Sequence, residues 1–178
     1  MTSVRFASWV ERVALQMERS RQAVIEFARE QDGSFWQKPS LVRGWTNQDL
    51  LAHIGRGNDQ MLQDILRAVS AGREVPPEVL APDTDAENER RVAERRRWPI
   101  ERVIAELEES GAEMQALLAG LREADADLHP GGAPWTLAGL MQVVLAEDHD
   151  REHLDQLRQS QSGDAGALKA ERLGAEHA

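Results

Sequence analysis

From Ile100 to Leu121 apolar residues return every three or four positions, at Ile100, Val103, Ile104, Leu107, Met114, Leu117, Leu118 and Leu121, close to a heptad beat. Side chains at that spacing share one face of an α-helix, and so long a stripe must be buried against other helices. The constraint recurs three times. Helix one is expected from Ser3 to about Gln31, with Phe6, Val10, Val13, Met17, Val24 and Ala28 on one face, and Asp32-Gly33 stops it. Helix two opens on Thr46, an N-cap whose neighbour Asp49 favours the exposed amides of the first turn, and runs through Leu50, Ile54, Met61, Ile65 and Val69 to about Ser70. Helix four opens at Thr136 and runs to about Ser160, with Leu137, Leu140, Met141, Val144 and Leu145 facing inward.

Between these stripes lie breakers. An irregular connection carrying Phe35, Trp36 and Pro39 leads to Gly44; Ala71-Gly72 and Pro76-Pro77 end helix two and open a proline- and acid-rich link to about Asp85. Ala86 to Arg97 holds no breaker and reads as a polar helical lead-in, interrupted at Trp98-Pro99, and His129-Pro130-Gly131-Gly132 is a loop. Four amphipathic helices that each need partners make an all-α four-helix bundle. The long link after helix two suits an up-down-down-up order, although up-down-up-down also fits the sequence. The bundle is expected over residues 1–160, with 161–178, rich in Ala, Gly and charge, as a frayed or disordered tail.

Composition narrows the function. A chain of 178 residues can bury a core without cross-links. Its net charge of −10 argues against a hold on nucleic-acid phosphates, which lysines and arginines must neutralise. The one basic cluster, Arg95-Arg96-Arg97, reads as a solvated helix face. With no cysteine, any thiol chemistry must come from a bound cofactor. No signal-peptide-like or membrane-spanning apolar stretch is present, so a cytoplasmic protein is expected.

Of the five histidines, His129 sits in a loop and His177 in the tail. His149 and His153 are four apart on one helix, so their rings project from one face a turn apart, near enough to chelate one ion. In an unbroken helix four they fall at the edge of the apolar stripe, with Asp148 and Glu152 nearer its middle. His53 also lies at the edge of its stripe. Spacing alone thus yields one chelating pair and one ambiguous partner.

The segment Gly44-Trp45-Thr46-Asn47-Gln48-Asp49-Leu50-Leu51-Ala52-His53 resembles the tryptophan-to-histidine signature of the DinB-like superfamily, which includes the YfiT-like proteins and the N-terminal domains of mycothiol-dependent maleylpyruvate isomerases. His149-Asp150-Arg151-Glu152-His153-Leu154-Asp155-Gln156-Leu157 resembles its second signature, and the likeness runs from about Ser3 to Ser160. The resemblance implies an up-down-down-up bundle in which His53, His149 and His153 ligate nickel, zinc, manganese or iron. One departure is Gly57, where many relatives carry a second tryptophan.

Three imidazoles would leave coordination positions open, as catalytic sites do. The resemblance implies a metal-dependent transferase or isomerase that uses a low-molecular-weight thiol and a small-molecule substrate, and a homodimer. Glu152 and Asp148, with Asp150, are the nearest candidates for general bases or for partners of the ligands. Trp45 is expected to anchor its loop and to wall the pocket. Two other readings are a non-catalytic, stress-associated metal-binding bundle and a metal-free hydrolase like the colibactin self-resistance proteins.

Overall fold

The computed structural model describes residues 5–56, 59–80 and 85–162. Gly57, the tail from residue 163 and His177 therefore lie outside the described residues. Eight α-helices are present among the described residues: α1 (Glu11–Glu30), α2 (Gly33–Trp36), α3 (Asn47–Arg56), α4 (Asp59–Ser70), α5 (Asp85–Arg95), α6 (Ile100–Ala119), α7 (Leu137–Glu147) and α8 (His149–Ser162). The fold is all-helical, as the periodicity requires.

The helices form four columns, namely α1, α3 with α4, α6, and α7 with α8, around two apolar cores. The first core gathers Val13 and Ala14 of α1, Leu62, Ile65 and Leu66 of α4, Met114 and Leu118 of α6, and Leu137 and Met141 of α7. The second gathers Val24 and Ile25 of α1, Phe35 and Trp36 of α2, Leu50, Leu51 and Ile54 of α3, Val103 and Leu107 of α6, and Leu154 and Leu157 of α8. Each column visits both cores. The first and last run from the first core to the second, and the middle two run the other way. Fully burying one such Leu or Ile contributes about 1.5–3 kcal/mol.

Buried polar side chains stand where the cores meet: Arg21 and Ser110 lie between the two apolar stretches of their columns, Gln63 follows Leu62 of the first core and Glu106 precedes Leu107 of the second. Gln63 Nε2 donates to Ser110 O at 3.1 Å and to Ser110 Oγ at 3.2 Å. Such groups are tolerated only because they are paired.

The structure departs from the periodicity in four places. Helix one begins at Glu11, not near Ser3, because the Ser8 amide and hydroxyl donate to Glu123 Oε1 and Oε2 at 2.6 and 2.9 Å, which ties the preceding segment to the link after α6. The connection after α1 contains α2, capped by the Asp32 carboxylate, which accepts from the Ser34 and Phe35 amides. The Arg95-Arg96-Arg97 cluster is a solvated face only in part: Arg96 and Arg97 are exposed, but Arg95 is buried. Buried Arg95 pairs with buried Glu106, Nε to Oε2 at 2.6 Å, and Arg96 Nε donates to Asp49 Oδ1 at 3.0 Å, so the two arginines fasten α5 to α6 and α3.

The fourth departure matters most for the site. Helix four breaks at Asp148, whose φ of 40° and ψ of 60° are left-handed. Asp and Asn are the residues other than glycine that reach this region most readily. α1 supports the break: Gln16 Nε2 donates to Leu145 O at 2.8 Å and to Asp148 Oδ2 at 3.0 Å, and Ser20 Oγ donates to Asp148 Oδ2 at 3.0 Å. In one unbroken helix, buried Met141 and buried Leu154 would point about 140° apart. The break removes that offset, and both α7 and α8 can then face the bundle interior.

Candidate metal centre

α3 is held in place by its start. The Thr46 amide donates to Asp49 Oδ2 at 3.0 Å and the Asp49 amide to Thr46 Oγ1 at 3.2 Å, a reciprocal cap. Leu50, Leu51 and Ile54 then sink into the second core, and His53 between them is carried inward with 9% of its surface exposed. α3 packs on α8, which brings His53 to the histidine pair.

There the three rings converge. His149 Nε2 lies 3.3 Å from His53 Nε2 and 2.9 Å from His153 Nε2. One ring nitrogen from each residue falls within 4.8 Å of the others, a group that could hold a metal ion. The spacing suits one ion, because donors about 2.0–2.1 Å from a tetrahedral centre lie roughly 3.3 Å from one another.

The surroundings favour a neutral His149 ring. Burial, then the neighbouring His153 and His53, then Arg21, push the His149 pKa down to about 2. His153 Nδ1 sits 2.9 Å from Gln156 Oε1, so an Nδ1–H donates to the amide oxygen and Nε2 presents its lone pair to the cluster. A partner on the far nitrogen fixes the tautomer of a ligand in this way. The Trp45 ring lies 5.2 Å from the His53 ring, centroid to centroid, and its Nε1 donates to Glu89 Oε2 at 2.7 Å, so Trp45 forms one wall of the site.

The acids divide. Asp150 Oδ1 is 4.0 Å from His149 Nδ1, and Arg21 grips the same carboxylate, Nε to Oδ2 at 2.6 Å and Nη2 to Oδ1 at 3.2 Å. Asp148 is one residue from His149 but turns its carboxylate to Gln16 and Ser20 of α1. Glu152 is exposed on α8, and His129 is exposed in its loop with Nδ1 2.9 Å from Ala133 O. Nothing in the sequence singles out Arg21, which meets its partner across 129 residues. Gln156 could have been found as the residue one turn after His153.

Among the described residues no helix is long and apolar enough to cross a membrane. A crystal structure of a mycothiol-dependent maleylpyruvate isomerase is similar to this chain, with a TM-score of 0.65 at 16% identity, over 88% of this chain and 63% of that one. The chain thus spans less than two thirds of that enzyme's length. No curated protein matches it in sequence. The family model of the DinB superfamily matches residues 16–157, across all four columns and all three histidines. The chain belongs to the DinB superfamily.

Proposed function

We propose that His53, His149 and His153 hold one divalent metal ion and that the protein is a transferase or isomerase acting on a small molecule with the help of a low-molecular-weight thiol. The observation that carries the first half is the convergence of three Nε2 atoms, 2.9 and 3.3 Å apart, from two columns of the bundle. The second half is supported by the likeness to the mycothiol-dependent isomerase; with no cysteine in this chain, a reacting thiol would have to be brought in.

When bound, the ion would lower the pKa of a coordinated thiol or water or polarise a carbonyl. The chain's own residues do the rest. His149, kept neutral by burial, needs no deprotonation to serve as a ligand. Gln156 orients His153, and Asp150, held by Arg21, places a negative charge beside the His149 ring. Trp45 excludes water from one side of His53. Three protein ligands leave room for a thiol or a substrate oxygen, the arrangement of catalytic sites.

The test is metal content and thiol transfer measured together on the wild type and His53→Ala. One equivalent of metal in the wild type and its loss in the variant are expected, with turnover that requires mycothiol, bacillithiol or glutathione. Stoichiometric metal without thiol-dependent turnover would leave the triad standing and remove the transferase reading. Protein prepared without chelators that carries no metal and takes none up would remove the triad itself.

A further inference from the structure

Next to the histidine layer the bundle opens. α3 packs on α8, but farther along the same columns α4 lies against α6, and α7 lies against α1. A cavity of about 890 Å³ occupies the space they leave, a volume typical of sites for molecules of drug size. Met17, Met61, Leu62, Met114, Leu140 and Val144 wall it, and half-exposed Val143 marks its mouth. Three of the chain's five methionines line it, and methionine adapts its shape to varied apolar partners.

Part of the lining is polar. Arg21, Asp148, His149 and Asp150 lie together there, Asp150 engaged by Arg21 and Asp148 by Gln16 and Ser20, and the acids Glu18, Glu108 and Glu147 also line the cavity. An occupant therefore meets these apolar walls and, of the three histidines, His149.

From this juxtaposition we propose that the cavity binds the apolar body of the substrate, an aliphatic or aromatic group, with a single electron-donating head group at the His149 end. The proposal rests on the reading of the triad as a metal site. It sets the substrate class: a largely hydrophobic molecule with one polar terminus, not a sugar or a polyanion.

The test uses the full chain loaded with cobalt(II) and a series of straight-chain alkyl hydroxamic acids from two to ten carbons. Visible absorption of the cobalt reports the head group, and the dissociation constant reports the chain. Affinity should rise roughly fourfold per methylene until the cavity is filled. Val144→Trp, or Met61→Trp should the first fail to fold, should flatten the series while cobalt still binds. A hydroxamate that changes the cobalt spectrum with an affinity independent of chain length would overturn the proposal and leave the metal site intact. Failure to take up cobalt at all would instead remove the reading beneath it.

Discussion

The two cores are built from different materials. The second is aromatic and closed: Phe27 meets Phe35 edge-on at 5.8 Å, Phe35 meets Trp36 at 5.0 Å, and Trp36 is 2% exposed. The first is rich in methionine and aliphatic side chains, and α7, the most apolar of the helices, buries only Leu137 and Met141 completely. Stiff rings fix geometry, whereas methionine fills and yields. Of the histidines, His53 lies between Leu51 and Ile54 of the second core, and His149 lines the cavity beside the first. Stiff packing thus surrounds one part of the cluster and adaptable packing adjoins the other.

That contrast can be broken by substitution. Trp36→Ala should cost about 3–5 kcal/mol in chemical denaturation, because a closed aromatic cluster cannot collapse on the space left. Asp148→Ala should cost about 1–3 kcal/mol, since alanine pays for the left-handed backbone and loses the bonds from Gln16 and Ser20, whereas Asp148→Asn should stay near the wild type. Cobalt affinity should fall with Asp148→Ala as well, because the offset between α7 and α8 depends on this residue; unchanged affinity would show that the break does not position His149. Thr136→Ala should cost about 1 kcal/mol, the loss of the cap on the Gly139 amide at the head of α7. Met61→Ala, at a half-buried wall of an existing cavity, should cost less than about 1 kcal/mol; a cost equal to that of Trp36→Ala would mean the two cores are equally tight and would end the comparison.

Much of this was legible in the residues. The heptad beat from Ile100, the caps at Thr46 and Thr136 and the polar helix before Trp98 are local signals, and local backbone physics honours them. The histidine pair followed from its spacing, and His53 joined it through the resemblance. What was not legible is long-range or cooperative. The break at Asp148 hides because aspartate is an ordinary helix residue and the stripe from Leu137 to Leu145 gives no warning; only Gln16 and Ser20, more than 120 residues away, make it stable. This is why the histidines projected to the edge of a helical stripe and yet stand inside the bundle. Arg21, Gln63 and Glu106 are polar residues in helices that could equally have faced water, and only their partners across the fold explain their burial.

The measurement that tests the central claim most directly is X-ray absorption at the metal edge of protein reconstituted with one equivalent of zinc, alongside His53→Ala, His149→Ala and His153→Ala. Three imidazole nitrogens about 2.0–2.1 Å from one ion, with one fewer in each variant or loss of the metal altogether, are expected. A zinc shell without imidazole, or one that is the same in all three variants, would contradict the account.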